Sequence, residues 1–290
     1  MSQDPFVTHR SLLFTVAYEM LGSATDAEDV VQETWLRWAG VDHATVQHPR
    51  AYLVRIVTRR SLDRLRMLAR RREEYFGPWL PEPLLTTPDV ADDVEFTEHV
   101  SVAMLTVLET LGPAERAVFV LREVFDFPYE DIAAAVDKSP AAVRQIAHRA
   151  RQHVAARRPR MDVGNQERAE VVEHFLAALS TGDIQELMDV LAPDVVLVTD
   201  GGGLAAAAAS PVEGVRKVAA FLSRLSRWAP DSHIDTLWVN GTLGARLVRA
   251  GELDTVVTFA VENEQITRIY AIRNPDKLSR VDAPSPLTRR

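Results

Sequence analysis

The sequence predicts two all-α domains, the second built around a helix-turn-helix, followed by a smaller α+β domain. Over the first 160 residues, apolar side chains recur every three or four positions, as amphipathic helices require. Four prolines between residues 78 and 88 interrupt this pattern and predict an extended linker. Beyond residue 230 the apolar period changes to two, with turn residues between short segments, which predicts an antiparallel meander.

These changes also predict the domain boundaries. We expect a helical domain at residues 1–75, a Pro-rich linker at 76–96, a second helical domain at 97–160, an α+β domain at 164–282 and a tail at 283–290. A chain of 290 residues is long enough for two or three such units.

The first domain contains three predicted helices. Gly22 ends the first, and the run Ser23–Asp26 carries the start signal of the second. After a loop at 41–49, a long helix is predicted from Arg50 to about Arg72. Helices resume near Val94, with breaks at 112–113 and 125–128.

In the third domain, the sequence predicts helices first and strands later. A short strand is expected at 195–199, a glycine loop at 201–203 and a helix at 212–228. Four further strands are expected at 233–239, 245–250, 254–261 and 266–272, with turn residues between them.

Composition excludes several classes of function. The chain has no cysteine, so it has no disulfide, thiolate nucleophile or cysteine-based zinc site. No apolar run approaches the roughly 20 residues that span a bilayer, and the N-terminus lacks a signal pattern. We therefore expect a cytoplasmic protein that has no membrane partner, metal or cofactor.

Two basic segments stand out in a chain whose net charge is −8. Residues 50–72 hold nine arginines and a single acid, Asp63, and residues 140–160 hold six arginines and no acid. Local patches rather than net charge govern nucleic-acid binding, so two phosphate-binding surfaces are predicted. The alternative is that both segments are solvated helix faces.

The second segment belongs to a helix-turn-helix pattern. Ser139 suits the N-cap of its second helix, Pro140 the first turn, and Val143, Ala147 and Ala150 the buried face. The outward side chains are Arg144, Gln145, His148, Arg149 and Arg151. A basic, acid-free outer face predicts a helix that enters the major groove of DNA, whereas the inward residues alone also fit an ordinary helical hairpin.

Together with this pattern, the segments Ala27–Trp35, Arg50–Val57 and Leu62–Arg66 resemble an extracytoplasmic-function sigma factor. The resemblance implies that the chain binds promoter DNA and core RNA polymerase, through its β′ and β subunits. The first helical domain would bind core polymerase and the −10 element, and the second the −35 element.

Carried over by position, the resemblance assigns three sets of residues. The polymerase-facing set is Asp26, Glu28, Asp29, Gln32, Glu33 and Trp35, with Trp35 alternatively in its own core. The −10 set is His43, Gln47, His48, Arg50, Arg55, Arg59, Arg60 and Arg64. The −35 set is Ser139 with the five outward side chains of the helix-turn-helix. Ile146 departs from the basic residue common in the family, and either packs inward or meets a thymine methyl.

The third domain resembles the SnoaL-like cone of the nuclear-transport-factor-two superfamily. Three segments resemble signatures of the sigma factors that carry this extension: Tyr75–Glu82, Asp200–Gly203 and Asn274–Leu278. In those factors the extension is thought to act in place of a separate anti-sigma protein. Leu204 departs from the lysine typical of that position.

The resemblance implies that these segments regulate by docking against the helical domains. An extended linker with exposed Trp79 and Leu80 would provide an apolar handle. The predicted regulatory residues are Trp79, Leu80, Pro81, Asp200, Gly201, Gly202, Gly203, Asn274, Pro275, Asp276 and Lys277. The glycines also fit a loop that needs positive φ, and Asn274–Leu278 a turn after a strand.

Three alternatives remain open at this point. In the first, the cone is an enzyme that uses Asp200, Asp235 or His233 as acid–base groups. In the second, the cone is a sensor of a small ligand. In the third, the whole chain is a helix-turn-helix regulator that does not bind polymerase. The acidic helix and the loop before Arg50 argue against this last alternative, and we expect a non-enzymatic protein.

Overall fold

The computed structural model describes residues 4–88, 90, 94–158, 164–228, 232–281, 284–285 and 287–289. It divides the chain into two compact units. The helical unit comprises Met1–Glu74, Leu105–Arg158 and Pro286–Arg290, and the cone unit comprises Tyr75–Met104 and Pro159–Ser285. The predicted linker and the start of the second helical domain thus belong to the cone unit. The predicted boundaries at residues 160 and 282–283 lie outside the described residues.

Helices form the helical unit, and their ends follow capping chemistry. Asp4 caps the first helix by accepting a hydrogen bond from the Phe6 amide, and Gly22 ends that helix at φ 65°. Ser23 then caps the next helix through the Asp26 amide. The helices are α1 (Pro5–Leu21), α2 (Ala24–Ala39), α3 (Pro49–Glu73), α5 (Val102–Leu108, shared with the cone unit), α6 (Pro113–Phe119), α7 (Tyr129–Val136) and α8 (Pro140–Ala155).

α1 is the central helix of the first domain, with its C-terminal ten residues buried. Trp38, 1% exposed, anchors α2 beside it and donates its indole N–H to the Asp4 carboxylate at 3.0 Å. A short 3₁₀ helix at His43–Thr45 leads from α2 to α3.

The predicted helix-turn-helix is α7 and α8. α7 ends at Asp137 with φ 56°, and the Ser139 hydroxyl caps α8 by accepting from the Ala142 amide at 3.2 Å. Val143, Ala147 and Ala150 are buried as predicted. Ile146 is only 7% exposed, so of its two predicted positions the inward one is correct. A π-helical turn, Val120–Val124, precedes this pair of helices.

The cone unit contains a six-stranded sheet of order β2-β1-β6-β5-β4-β3. Strands β3 to β6 form the predicted antiparallel meander, whereas β1 pairs with β6 in parallel, which the sequence did not predict. The strands are β1 (Leu191–Asp200), β2 (Val212–Glu213), β3 (Ser232–Val239), β4 (Thr242–Arg249), β5 (Glu252–Glu262) and β6 (Gln265–Ile272). The helices are α4 (Val94–Val100), α9 (Asn165–Thr181), α10 (Ile184–Val190), α11 (Val215–Trp228) and α12 (Pro275–Leu278).

Both faces of this sheet are covered. Because side chains alternate along a strand, Phe259 of β5 faces the core beneath α9, α10 and α11, while Ala260 faces the opposite side. That opposite side is covered by Leu80 of the linker, Val102 of α5 and Leu278 of α12. The linker is therefore part of the hydrophobic core of the cone unit.

Among the described residues, no helix has both the length and the apolar content needed to span a bilayer.

Candidate promoter and polymerase interfaces and the linker site

The predicted polymerase-facing acids lie on α2 and are paired with arginines of the same unit. Arg64 of α3 contacts Asp26 at 3.4 Å and Asp29 at 2.9 Å. The other two pairs are Arg10–Glu28 at 2.7 Å and Arg60–Glu33 at 3.7 Å, whereas Gln32 is exposed. The Arg10–Glu28 and Arg60–Glu33 pairs are partly exposed to solvent, so replacing the arginine by a basic group of a partner protein costs little there.

An apolar patch accompanies these acids. Trp35 is 46% exposed and its neighbour Leu36 is 59% exposed, so Trp35 lies on the surface rather than in the core of its own domain. The core tryptophan is instead Trp38. Leu36 is not in the predicted polymerase-facing set, although its position next to Trp35 on an otherwise charged helix is a usable signal. Exposed aromatic and aliphatic side chains beside acids are typical of a protein-binding surface.

The loop before α3 presents polar groups on an aromatic base. The His43 ring stacks on Trp38 with centroids 4.1 Å apart and planes 10° apart. His43 Nε2 lies 3.1 Å from the Trp38 carbonyl oxygen, which can only accept, so this nitrogen carries the proton. Gln47 and His48 are exposed in the same loop. The loop can therefore present stacking and hydrogen-bonding groups to an unstacked base.

The predicted phosphate-binding arginines of α3 have partners within the helical unit. The Arg50 guanidinium lies 4.7 Å from the centre of the Phe127 ring, and that of Arg55 lies 5.2 Å from the Tyr52 ring. Arg59 donates to the carbonyl oxygens of Ala134 and Ala135 of α7. Arg60 and Arg64 are paired with the α2 acids. The sequence predicts that all five arginines face DNA, and it predicts none of these internal partners.

The outer face of α8 remains open. Arg144, Gln145, His148, Arg149 and Arg151 are all exposed. Among the residues that the structure describes, the arginines of this face form loose ion pairs, at 3.8 Å for Arg144–Glu130, 3.9 Å for Arg149–Glu115 and 3.5 Å for Arg151–Glu123. Exposed pairs of this kind contribute about 0–1 kcal/mol, so phosphate groups can replace the acids. The Ser139 hydroxyl serves as the helix cap.

The predicted regulatory residues meet at Asp200, at the end of β1. Its side chain is fully buried and accepts hydrogen bonds from four donors. The linker supplies two of them, the Tyr75 hydroxyl at 2.6 Å and the Leu80 amide at 2.8 Å. The others are the Gly202 amide at 3.1 Å and the Lys277 ammonium at 2.7 Å. A carboxylate with four donors, one of them cationic, is a strong and geometrically specific anchor.

Lys277 closes the same site from α12. Its ammonium group, 7% exposed, also donates to the Leu80 carbonyl oxygen at 2.5 Å. It lies 4.2 Å from the centre of the Trp79 ring and 4.9 Å from that of Tyr75. Burial and the hydrogen bond to Asp200 raise the pKa of Tyr75 above its ordinary value, so the phenol stays protonated and donates. We call Tyr75, Trp79, Leu80, Asp200 and Lys277 the linker site.

Asn274 and the glycines shape the linker site. Asn274 Nδ2 donates to the Tyr75 hydroxyl at 2.9 Å, and its Oδ1 caps α12 through the Asp276 amide. Gly202 has φ 58°, and a Cβ there would collide with the Asn274 side chain. Gly202 thus has the predicted positive φ, and the close approach of Asn274 is a second reason for glycine at this position. The remaining predicted residues border the site, with Gly201, Gly203 (φ 74°) and Pro81 beside it and Pro275 and the Asp276 carboxylate exposed.

Two expectations for these residues are wrong. Leu80 is fully buried and Trp79 is half-buried, so neither forms the predicted exposed handle. Leu80 is buried because its side chain packs on the second face of the sheet while its amide and carbonyl bind Asp200 and Lys277. Asp200 and Lys277, predicted to dock against the helical domains, bind the linker instead.

Asn240, which is not among the predicted regulatory residues, is a second anchor of the linker. Asn240 exchanges hydrogen bonds with Leu84, its Oδ1 accepting from the Leu84 amide and its own amide donating to the Leu84 carbonyl, both at 2.9 Å. Its Nδ2 donates to the Val100 carbonyl at 2.8 Å. Asn240 and Gly241 lie between the predicted strands 233–239 and 245–250, where the sequence predicts only a turn. The complete burial of Asn240 is a tertiary property that the turn pattern does not reveal.

The cone contains a small cavity away from the acid–base candidates. Its lining includes Arg168, Trp238 and Phe259, and its volume of about 20 Å³ gives room for one or two water molecules. None of the three acid–base candidates lines it. Asp200 belongs to the linker site, and Asp235 pairs at the surface with His233 at 2.6 Å and with Arg246 at 3.2 Å. This geometry gives the enzyme alternative no support.

Comparison with known families defines the class of protein. The protein-family model of sigma-70 region 2 matches residues 6–71, and the family model of sigma-70 region 4 matches residues 101–154. These segments contain α1 to α3 and the helix-turn-helix, so the chain is a sigma factor with a C-terminal α+β domain of SnoaL-like fold.

Relatives specify the family. The chain is 37% identical to the ECF RNA polymerase sigma factor SigJ of Mycobacterium tuberculosis, over 100% of this chain and 96% of that protein. It is 32% identical to the probable ECF RNA polymerase sigma factor SigI of the same species, over 93% and 92% of the two chains. The crystal structure of M. tuberculosis SigJ superposes with a TM-score of 0.79 at 34% identity, covering 96% of this chain and 98% of that one. The chain belongs to the extracytoplasmic-function sigma factors, which confirms the predicted family and fold class.

Proposed function

We propose that this sigma factor recruits core RNA polymerase through α2, reads the −10 element with the loop 41–49 and α3, and reads the −35 element with α8. The observation that supports the first assignment is the exposed Trp35–Leu36 patch among paired acids. The open basic face of α8 supports the last. The site of action is the cytoplasm, where polymerase and promoters are.

We further propose that the cone domain regulates initiation in cis by holding the linker. The single observation that carries this proposal is the buried Asp200 carboxylate, which binds Tyr75 and Leu80 of the linker and Lys277 of α12. Asn240 holds the same segment further along. A linker that is fixed at two points cannot extend.

Extension matters because sigma regions 2 and 4 read separate promoter elements. Residues 75–93, which lie between the two matched regions, could span up to roughly 65 Å if released and fully extended. While bound at the linker site, the segment cannot supply that reach. The docked linker is therefore the restrained state, and its release increases initiation. No separate anti-sigma protein is required for this control, and a small ligand of the cone would act by shifting the docking equilibrium.

The test is run-off transcription with purified core polymerase on genomic promoter fragments. Asp200→Asn removes the charge at the linker site, and Asp194→Asn, an exposed position on the same strand, is the matched control. We expect promoter-dependent transcripts with the wild-type chain and at least threefold more with Asp200→Asn only.

Each outcome has a distinct meaning. Equal transcription by wild type and Asp200→Asn, with the linker shown to be released by faster exchange of the Leu80 amide, refutes regulation in cis. Lower transcription by Asp200→Asn than by wild type means that the docked linker assists initiation, which is the opposite of the proposed restraint. The absence of core-dependent transcripts with every form refutes the assignment of the three surfaces.

A further inference from the structure

One arginine of the open face of α8 lies against an aromatic ring. The Arg144 guanidinium is 5.8 Å from the centre of the Tyr129 ring, within the roughly 6 Å over which a ring face attracts a cation. Tyr129 is the first residue of α7, so this contact joins the two helices of the helix-turn-helix. Among the residues that the structure describes, Arg149 and Arg151 make no ring contact of this kind. Arg144 therefore differs from the other two arginines of this face.

The Tyr129 ring is itself held in place. It is half-buried, and the Arg122 guanidinium lies 4.9 Å from its centre. Arg122 in turn donates to the Phe127 carbonyl oxygen at 3.1 Å and pairs with Asp126 at 2.9 Å. Within the described part of the chain the Tyr129 hydroxyl makes no hydrogen bond, so the ring alone provides these contacts. The ring is therefore a fixed platform for Arg144.

Arg144 also occupies the part of α8 that suits a base contact. It is the fifth residue of a helix that begins at Pro140. In helix-turn-helix proteins, the N-terminal residues of the second helix contact base edges in the major groove. The commonest specific contact there is an arginine that donates two hydrogen bonds to O6 and N7 of a guanine. The position of Arg144 fits this contact, whereas Arg149 and Arg151 lie further along the helix.

A contact through two hydrogen bonds needs the guanidinium in one orientation. An exposed arginine samples many rotamers, and fixing them during binding reduces the affinity. The Arg144 side chain is 54% exposed and its ion pair with Glu130 is loose, so neither burial nor this acid orients it. A guanidinium that lies on a ring face keeps its in-plane N–H groups for other acceptors. The Tyr129 ring can therefore orient Arg144 without using the donors that a base needs.

We propose that Tyr129 is a positioning residue for −35 recognition, because its ring orients Arg144 for a bidentate contact with a guanine. Tyr129 acts through Arg144 and contacts no base itself. This inference rests on the proposed reading of the −35 element by α8, and it is independent of the linker site.

The test uses the holoenzyme, in which the full chain is bound to core polymerase. A promoter fragment found by run-off transcription is prepared as mixtures in which each base pair of the −35 region is randomised in turn. Sequencing of the fragments that the holoenzyme binds gives the preference for each base at each position. Tyr129→Leu removes the aromatic face but keeps apolar bulk, and Tyr129→Phe keeps the face. Glu130→Ala, which removes the acid beside Arg144, is the matched control.

The expected changes are confined to one position of the −35 region. Arg144→Ala should lower the preference for guanine there by about tenfold, as for loss of a bidentate contact. Tyr129→Leu should lower the same preference by about two- to fivefold, because only the orientation of Arg144 is lost. Tyr129→Phe and Glu130→Ala should retain it. In an Arg144→Ala background, Tyr129→Leu should have no further effect at that position.

Three results overturn the proposal. The first is that Arg144→Ala weakens no preference for guanine. The second is that Tyr129→Leu lowers the preferences at all positions alike, as a merely structural role of the ring requires, or lowers none. The third is that Tyr129→Phe loses as much preference as Tyr129→Leu, which assigns the effect to the hydroxyl.

Failure of this inference and failure of the proposed function give different results. If the wild-type holoenzyme shows no base preference anywhere in the −35 region, the proposed reading by α8 is refuted, and the role of Tyr129 with it. If the wild-type preference is present and one of the three results above is found, only the role of Tyr129 is refuted.

Discussion

Removing the ammonium group of Lys277 is the sharpest test of the linker site. Lys277→Met keeps most of the side-chain volume but leaves the fully buried Asp200 without its cationic partner. The Leu80 carbonyl loses the same donor. Breaking a buried pair by removing one partner costs about 3–5 kcal/mol, because the remaining charge stays desolvated.

The consequence should appear first in the linker. The Leu80 amide donates to Asp200, so the hydrogen exchange of this amide reports opening of the linker site directly. This readout does not require that unfolding of the whole chain is a two-state transition. We expect its protection to fall by at least a hundredfold, and the thermal midpoint of the cone unit to fall by roughly 6–20 °C. Lys217→Met, an exposed position on α11, is the control and should change neither quantity.

Coupling provides an independent check. Asp200→Asn already removes the buried negative charge. In that background, Lys277→Met should therefore lower the free energy of unfolding by at least about 1 kcal/mol less than it does in the wild-type chain. The reasoning is refuted if Lys277→Met lowers the free energy of unfolding by less than about 1 kcal/mol, or if the two substitutions are additive.

Three further predictions concern single positions. Burial raises the pKa of Glu19 to about 8 despite the nearby Arg116, so the folded state holds the Glu19 proton more tightly than the unfolded state does. The free energy of unfolding should therefore fall as pH rises from about 4.5 to about 8. Glu19→Gln should flatten that fall in denaturant titrations at pH 5, 6.5 and 8, and an unchanged slope would contradict the assignment. Gly202→Ala should destabilise the cone unit by about 2 kcal/mol more than Gly251→Ala, which thermal unfolding of the two variants would measure. Both glycines have positive φ, but only at Gly202 would the added Cβ also collide with a neighbouring side chain. Trp35→Ala should weaken core polymerase binding by about tenfold with little loss of folding stability, whereas equal affinities in a titration would exclude Trp35 from the interface.

Local patterns predicted local structure well. The turn at Ser139–Pro140 and the buried residues of α8 followed from capping chemistry and a 3.6-residue period, and both are present. The antiparallel strands were placed within three residues of their ends because short turns join neighbouring strands. The parallel pairing of β1 with β6 escaped prediction because these strands are far apart in the sequence, with Leu197 beside Ile269.

Long-range partners explain what the sequence misplaced. The arginines of α3 have almost no acid among their sequence neighbours, which favoured a free basic surface. The fold supplies partners from α2 and, for Arg59, from the backbone of α7, which no pattern of side chains can indicate. Likewise the sequence predicts the motifs around Tyr75, Asp200 and Lys277 as three separate segments. Their convergence joins residues 125 and 77 positions apart, so the correct partners were unpredictable.

The chemistry of the linker site suits the regulation in cis that we propose. At the linker site a buried carboxylate and a buried ammonium satisfy each other, so release of the linker leaves charges that must be rehydrated. Release is therefore expected to occur in one step rather than gradually. A restraint of this kind suits a regulatory decision, because any signal that favours the released state shifts the whole population between two discrete forms.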